Sequence, residues 1–253
     1  MSVDQAADVD GNGFPDELDE ALNDGKPKIL SAWGRGGSGK SVFNRRLYQS
    51  WPGDKLAIDV NGNAEPGEDA ERIGREQLGR KWPTEQLALG ERRRPRNLHF
   101  RADPGAATYV EDLDKAVGMA LFPQDHPVML WAGEVGEMMP NGRTGPHMRR
   151  LLQQYRHHRV TACFDGPRPM HVNPLVLAQS AFVAIFHLPN PNDRKRVAES
   201  IGYPAKLLDA ACEETTRRGK YWFLLWHADA HQLYRMPPLP VDELTDKQRA
   251  GVA

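Results

Sequence analysis

The residues best suited to chemistry are 34–41, whose sequence GRGGSGKS fits the pattern G-x-x-x-x-G-K-[ST]. This segment follows an apolar run at residues 29–33 and precedes a helical pattern that contains Val42, Phe43 and Leu47. Glycines let the backbone curl so that successive N–H groups point at phosphate oxygens, and the start of the helix adds positive potential. The sequence therefore predicts a phosphate-binding loop for a nucleoside triphosphate.

The loop also predicts which groups meet the ligand. We expect Lys40 to reach the β and γ phosphates and Ser41 to ligate magnesium, so that ATP and Mg²⁺ are the predicted cofactors. The nucleotide-binding residues predicted from the pattern are Gly34, Gly36, Gly37, Ser38, Gly39, Lys40, Ser41 and Val42.

A second strand should carry the acid that polarises the attacking water. The apolar run at residues 128–132 is followed by Glu134, which is placed where an activating glutamate belongs. The residue before it is Gly133, where an aspartate would normally complete the magnesium shell. The metal would then depend on Ser41, phosphates and water. Glu137 lies farther from the strand end and is the weaker candidate for the base.

An arginine-rich segment is the third candidate for chemistry. Residues 138–164 contain five arginines and three histidines but no acidic residue. Arg149, Gln153 and Arg156 are spaced to share one stripe of a predicted helix. We predict that Arg156 or a neighbour acts as an arginine finger on the γ phosphate of an adjacent subunit. The alternative is a solvated helix face.

Apolar runs alternate with helical patterns through most of the chain. This alternation predicts an α/β fold with a mainly parallel sheet flanked by helices. Thr108 and Glu111 form a capping-box pattern ahead of one such helix. Near the C-terminus, residues 221–226 and 232–236 are expected to pair as a hairpin. The predicted strands cover residues 29–33, 55–60, 98–100, 128–132, 160–164 and 181–188.

Charge and composition divide the 253 residues into three parts. Residues 1–26 are rich in Asp, Gly and Asn and are predicted to be a flexible acidic arm. The ATPase domain is predicted at residues 27–240, with an insertion at 61–97, and residues 241–253 form a tail. The first 25 residues hold eight acidic side chains and no Lys or Arg, so the remainder has a formal charge of about +7. That charge is compatible with a nucleic-acid partner.

Residues 8–19 nearly fit the pattern of a calcium-binding loop. Three features disfavour the site: Asp19 at the last ligand position, Pro15 in the centre, and the short segment before the loop. Cys163 and Cys212 match no metal-ligand spacing, which disfavours zinc and disulfides. No membrane span or signal peptide is evident, so we expect a cytoplasmic or virion-associated protein.

The order of these segments resembles the FtsK/HerA superfamily of P-loop ATPases, and in particular the genome-packaging ATPases of tailless membrane-containing icosahedral viruses. The resemblance covers roughly residues 27–240. It rests on GRGGSGKS at 34–41, LAIDVNG at 56–62, VMLWAGEVGEM at 128–138 and HMRRLLQQYRHHRVTACFDGPRP at 147–169. The last segment resembles the family's arginine-bearing helix, sensor strand and Arg-Pro pair.

The resemblance implies a RecA-like (ASCE) core, a homo-oligomeric ring that is a hexamer, and double-stranded DNA moved through its centre. It also implies a viral capsid vertex or membrane protein as a partner. Two departures bear on catalysis: Gly133 replaces the family's usual aspartate, and Asp165, Gly166 and Pro167 precede the Arg-Pro pair where Gln is common.

Three alternatives remain open from the sequence. Residues 35–41 resemble the loop of ParA or MinD type positioning ATPases, although the defining lysine of that loop is Arg35 here. A nucleotide-binding scaffold with weak hydrolysis would account for Gly133. A small-molecule kinase is also compatible, because the loop alone does not select a phosphate acceptor.

Overall fold

The computed structural model describes residues 6–8, 16–62, 64–80, 82, 94–122 and 126–240. In these ranges one ten-stranded sheet forms the centre of the molecule, in the order β1-β10-β9-β8-β2-β7-β6-β3-β5-β4. The strands are β1 Ala6–Asp8, β2 Ile29–Trp33, β3 Asp54–Asp59, β4 Glu71–Ile73, β5 Asn97–Arg101, β6 Val128–Ala132, β7 Val160–Gly166, β8 Ser180–Ile185, β9 Phe223–His227 and β10 Gln232–Met236.

Most neighbouring strands run parallel. The pairs from β8 through β2, β7, β6, β3 and β5 to β4 are all parallel, whereas β9 is antiparallel to both β8 and β10. Every residue of β2, β6 and β7 is buried, as expected for parallel strands covered on both faces. The predicted α/β class, the mainly parallel sheet and the C-terminal hairpin are confirmed.

Helices cover both faces of the sheet. They are α1 Asp16–Asn23, α2 Lys40–Ser50, α3 Tyr109–Leu121, α4 Val135–Met138, α5 Pro146–Gln154, α6 Pro174–Ala178, α7 Pro191–Ile201 and α8 Ala205–Arg218. The apolar residues of α2 pack with Ala57, Met129 and Trp131 on one face of the sheet. Those of α3, α5, α7 and α8 pack on the other face, with Leu56 and Leu130.

The helix α2 is held at both ends by buried aromatic side chains. Phe43 packs edge-on against Phe186 and Phe223, with ring centroids 6.3 and 5.9 Å apart. Burying such a side chain fully contributes about 1.5–3 kcal/mol. At the other end, the Tyr48 hydroxyl donates a 2.7 Å hydrogen bond to Asn97 Oδ1 on β5. These contacts fix the direction of the helix that follows the glycine-rich loop.

Residues 1–26, predicted to be a flexible acidic arm, contain regular structure in their described part. Strand β1 pairs in parallel with β10, and α1 places Leu22 in the core. Asp8 accepts hydrogen bonds from Arg235 Nη1 at 2.7 Å and from Arg218 Nη2 at 2.9 Å. Arg235 is only 3 % exposed, so the acidic segment supplies a charge that a buried guanidinium requires.

The calcium-loop pattern falls partly on residues that the structure describes. Asp8, its first proposed ligand, is ion-paired with arginines, and Asp16 and Asp19 lie in α1. Residues 9–15 lie outside the described residues. Among those described, no group of three or more His, Cys, Asp or Glu side chains is arranged to hold a metal ion.

The predicted insertion at residues 61–97 is in part an extension of the sheet. Strand β4 pairs in parallel with β5 and forms the sheet edge. Residues 63, 81 and 83–93 of this segment, like the tail at 241–253, lie outside the described part of the chain. Within that part, no helix has the length and apolar character that a membrane span requires.

Candidate functional site

The glycine-rich loop lies at the carboxyl end of β2, between the ends of β7 and β8. The Gly34 amide donates to Gly166 O at 3.3 Å, and the Arg35 amide donates to His187 O at 3.0 Å. The loop is therefore hydrogen-bonded to the end of β7 and to the segment after β8, the two strands that flank β2. It lies at the centre of the carboxyl edge of the sheet.

Glycine is required at two positions of this loop. Gly39 has φ 110°, in the left-handed region that side-chain-bearing residues rarely adopt. A Cβ atom at Gly34 would lie 2.8 Å from the Cβ atom of Phe186, a distance that real Cβ contacts do not show. The first glycine therefore permits a close approach to Phe186, and Gly39 permits the turn into α2.

Lys40 lies inside the loop rather than in solvent. Its Nζ donates hydrogen bonds to Gly34 O at 2.6 Å and to Arg35 O at 3.2 Å, and the residue is 7 % exposed. Burial lowers the pKa of the lysine, while the charges of Asp165 and Glu134 oppose that change. The Lys40 ammonium group, which now donates to two carbonyl oxygens of the loop, is positioned to donate to phosphate oxygens instead.

Two serines complete the loop. The Ser38 hydroxyl is buried and has no hydrogen-bond partner among the described residues. Ser41 is exposed in the first turn of α2, whose N-terminus has no side-chain cap. A buried hydroxyl without a partner and an uncapped helix start are features that a bound phosphate group satisfies. The residues present therefore fit a triphosphate and the Mg²⁺ that accompanies it.

Glu134 has an unusual backbone conformation at the end of β6. Its φ and ψ are 50° and 49°, in the left-handed region, and it is the N-cap of α4. The side chain is partly buried; burial raises the pKa of its carboxyl, and the charge of Asp165 raises it further. A non-glycine residue held in this conformation is often part of a functional site. Glu137, in contrast, is exposed on α4.

A second carboxylate, which the sequence analysis did not assign to the site, lies beside Glu134. Asp165 is 5 % exposed and is the penultimate residue of β7. It accepts hydrogen bonds from Asn44 Nδ2 at 2.7 Å, from Trp131 Nε1 at 3.1 Å and from the Glu134 amide at 3.1 Å. These donors come from α2, β6 and the turn after β6, so Asp165 links all three segments.

Two cavities lie close to the candidate site. One of about 270 Å³ is bounded by residues 37–42 of the loop and by the apolar side chains of Phe186, Tyr221, Pro238 and Leu239. Its size and apolar wall suit an aromatic base.

The other cavity, of about 720 Å³, lies beyond Glu134 and is also lined by Arg168, His171 and Arg196. Arg168 comes from the Arg-Pro pair, and its Nε donates to Asp193 Oδ2 at 3.0 Å. This cavity therefore brings two arginines to the same opening as the candidate base.

Arg156 does not lie on the predicted helix stripe. Helix α5 ends at Gln154, and Arg156 follows it in a turn, where its Nε donates to the Tyr155 hydroxyl at 3.0 Å. The turn precedes β7, whose seven residues span about 20 Å to the edge that holds the loop. Arg149 and Gln153 are on α5 and exposed, as predicted. Arg156 therefore cannot reach the loop of its own chain.

Among the other basic residues, Arg96 pairs with Glu71. The neighbouring Arg92 and Arg93 lie outside the described residues.

A mainly parallel sheet with this loop at the end of a central strand, flanked by helices, is the fold of the P-loop ATPases. The predicted fold is confirmed by its similarity to solved structures.

The chain is similar to the genome packaging NTPase B204 of Sulfolobus turreted icosahedral virus 2 in complex with AMP, with a TM-score of 0.63 and 16% sequence identity over 85% of this chain and 98% of that one. The DNA-packaging ATPase B204 of Sulfolobus Turreted Icosahedral Virus gives 0.58 and 17%, over 85% and 100%.

A third similar structure is EssC (ATPases 2 and 3) from Geobacillus thermodenitrificans. Its TM-score is 0.50 at 11% identity, and the match covers 100% of this chain and 50% of that one. No protein-family model and no curated protein matches the sequence.

Proposed function

We propose that this chain is a magnesium-dependent ATPase that forms a ring, a hexamer, and moves double-stranded DNA, as in the packaging of a viral genome. The observation that carries the proposal is the position of the loop at residues 34–41, with buried Lys40 and the partly buried Glu134 beside it. The fold similarity to B204 proteins, which include a DNA-packaging ATPase, supports the choice of DNA.

Triphosphate binding would use the loop and the apolar cavity next to it. The backbone amides of the loop and the ammonium of Lys40 face the phosphates, and Ser41 is positioned to hold Mg²⁺. The base would lie against Phe186 and Tyr221. One of the similar B204 structures holds AMPPCP and another ATP-gammaS, which supports an adenine nucleotide.

Hydrolysis would use Glu134 as the group that orients and deprotonates water. When bound, Mg²⁺ neutralises charge on the β and γ oxygens of the triphosphate. Lys40 supplies a second positive charge to those oxygens. The backbone of Glu134 is in the left-handed conformation, and its amide donates a hydrogen bond to Asp165. These two features fix the point from which its carboxylate side chain extends.

The ring supplies the last part of the proposed site. Arg156 is exposed at the amino edge of β7, where only a second copy of the chain could bring a triphosphate to it. A finger in this position would couple hydrolysis to subunit contact. DNA in the centre of the ring and a viral capsid vertex or membrane protein at its outer face are the partners that complete this proposal, with the motor in the cytoplasm or at the virion.

A ParA or MinD type positioning ATPase is disfavoured because that family lacks a glutamate like Glu134. Such a protein would form a dimer around nucleotide, so the stoichiometry of the nucleotide-bound form separates it from a ring. A scaffold with weak hydrolysis would bind nucleotide without turnover.

Steady-state ATP hydrolysis, measured with and without double-stranded DNA beside a mass measurement of the assembly, tests the proposal. We expect turnover that DNA stimulates and a closed ring in the presence of nucleotide. If a monomer or dimer hydrolyses ATP at a rate that DNA does not change, the DNA-motor proposal is contradicted. Nucleotide binding without any turnover would support the scaffold alternative.

A further inference from the structure

The neighbouring strands β6 and β7 place Gly133 and Asp165 side by side. The two strands run parallel with Ala132 opposite Phe164. The next residues are Gly133, just past the end of β6, and Asp165, which is still in β7. Paired residues of adjacent strands project toward the same face of a sheet, and here Trp131 and Asn44 on that face both donate to Asp165. The carboxylate therefore lies on the face of the sheet that α2 covers.

The carboxylate of Asp165 also fills the space next to the missing side chain. A Cβ atom built on Gly133 would lie 3.8 Å from Asp165 Oδ2 and 3.9 Å from Asp165 Oδ1. An aspartate at residue 133 would therefore bring a second carboxylate into contact with the first. Two carboxylates in one place oppose each other's ionisation, so a single carboxylate at one of the two positions is favoured.

Asp165 is costly as a purely structural residue. Among the described ion pairs none includes Asp165, although it is buried and its three partners are neutral donors. A buried carboxylate outside any ion pair carries a large desolvation cost, and an asparagine would fill the same space without that charge. The position therefore favours a function that requires the negative charge.

A second polar group at this place also lacks a partner. Asn44 is fully buried, and its Nδ2 donates to Asp165, but its Oδ1 has no hydrogen-bond partner within the described residues. A buried carbonyl oxygen and a buried carboxylate meet in the first part of α2. Oxygens of this type ligate Mg²⁺ or accept hydrogen bonds from its bound waters. The charge of Asp165 also reaches Lys40 in the loop.

We infer that Asp165 supplies, from β7, the magnesium-shell carboxylate that the sequence lacks at Gly133, directly after β6. This inference rests on the proposed nucleotide site and adds a metal-binding residue to it. The carboxylate comes from the adjacent strand, β7, at the position beside Gly133. Hydrogen bonds from Asn44 and Trp131 hold its orientation. Glycine at residue 133 is then explained by the carboxylate of Asp165, and it does not indicate lost hydrolysis.

The test is the dependence of nucleotide affinity on Mg²⁺, which needs no turnover. Binding of a fluorescent ATP analogue is titrated with Mg²⁺ and with EDTA in wild type, Asp165→Asn and the double variant Gly133→Asp/Asp165→Asn. We expect Asp165→Asn to reduce the affinity gained from Mg²⁺ by at least about tenfold while affinity in EDTA is retained. The double variant should recover most of that gain, because its carboxylate returns to the same place from the other strand.

A matched control is Asp114→Asn, which neutralises another buried carboxylate that accepts two hydrogen bonds from backbone amides, on the opposite face of the sheet. It should leave the Mg²⁺ dependence unchanged. An unaltered Mg²⁺ dependence in Asp165→Asn, or a folded double variant without recovery, overturns the inference. Failure of wild type to bind the analogue in either condition instead overturns the proposed nucleotide site.

Gly133→Asp alone keeps the inference testable if Asp165→Asn does not fold. A Cβ atom at residue 133 meets its neighbours only at ordinary van der Waals distances, so the variant should fold, although its two carboxylates repel each other. We expect a lower melting temperature without metal and a larger rise on adding Mg²⁺ with nucleotide than wild type shows. Equal melting temperatures and equal rises in the two proteins would overturn the inference, because the two positions would then be uncoupled.

Discussion

The side-chain amide of Asn44 donates a 2.7 Å hydrogen bond to Asp165 Oδ2 and so joins the helix after the phosphate loop to the strand that carries the second carboxylate. The two residues lie 121 positions apart in sequence. Both are buried, which makes the bond a charge-assisted contact shielded from water. Together with the contacts of Phe43 and Tyr48, this hydrogen bond holds α2, and with it Lys40, against the sheet.

Asn44→Ala should therefore destabilise the chain. A hydrogen bond to a charged group contributes about 1.5–3 kcal/mol, and its loss leaves the carboxylate with two donors in place of three. We expect the free energy of unfolding, measured by urea titration, to fall by about that amount. Gln49→Ala, at an exposed position of the same helix, is the control and should change it by less than about 0.5 kcal/mol. Equal stability of the two variants would show that the contact is not made.

Glu134→Gln should block hydrolysis and preserve nucleotide binding, because the amide keeps the shape of the side chain but cannot accept a proton from water. Glu137→Gln is the matched control, since Glu137 is exposed on the helix that Glu134 caps. Single-turnover hydrolysis and equilibrium binding of both variants separate the two steps. If Glu137→Gln is inactive and Glu134→Gln is not, the base has been assigned to the wrong residue.

Arg156→Ala should lower the rate of hydrolysis by about 10³- to 10⁵-fold with little change in nucleotide affinity. Arg217→Ala, at an exposed position on α8, should leave the rate unchanged.

Mixtures provide the sharper result, because an Arg156→Ala subunit keeps its own loop and a Lys40→Ala subunit can still donate an arginine. Mixing the two inactive variants should restore part of the activity if subunits exchange. Full activity of Arg156→Ala alone removes it as the finger, and Arg149, Arg150 and Arg159 would then need the same substitution.

The attachment of β1 to β10 should depend on pH through Asp8. The hydrogen bond from Arg235 lowers the pKa of Asp8, so the carboxylate stabilises the folded chain above its ordinary pKa and loses that effect as the pH falls through the lowered value. Asp8→Asn should reduce stability at pH 7 by less than about 1 kcal/mol, since the side chain is 47% exposed.

The difference in melting temperature between Asp8→Asn and wild type should disappear in acid. Glu20→Gln, an exposed position on α1, serves as the control and should melt like wild type throughout the pH range. A difference for Asp8→Asn that persists unchanged below the ordinary pKa of aspartate would contradict the role of this ion pair.

Sequence patterns predicted the central strands because a parallel sheet covered on both faces requires continuous apolar runs. The loop was also predictable, since its glycines serve a local backbone geometry. Helix α3 was predicted with its apolar face. Thr108 is its N-cap residue, but its side chain makes no capping hydrogen bond, since the hydroxyl donates to Asp112 Oδ2 at 2.7 Å. Ser and Thr side chains have several local partners, so a spacing pattern does not select one.

Asp165 was not predicted as a site residue because strand β7 continues beyond the apolar run from which it was predicted. The prediction ended β7 at Phe164, since Asp and Gly are depleted in strands, whereas the strand continues to Gly166. Asp165 meets Gly133 only through the register of two strands, which sequence spacing does not give. The position of Asn44 could have indicated a second polar group at the site, because Asn44 lies four residues after Lys40 on the same helix and so shares its face. Strand β1 was missed because its partner strand, β10, is more than two hundred residues away in sequence, as is Arg235, which pairs with Asp8.

The most direct test of the nucleotide site is an equilibrium titration of a fluorescent ATP analogue with Mg²⁺ into wild type and Lys40→Ala. Removing an ammonium that faces phosphate oxygens should weaken binding by at least about tenfold, while the melting temperature without nucleotide remains close to that of wild type. Lys206→Ala, at an exposed position on α8, removes the same charge and should bind like wild type. Undiminished affinity of a folded Lys40→Ala variant would contradict the assignment of residues 34–41 as the triphosphate site.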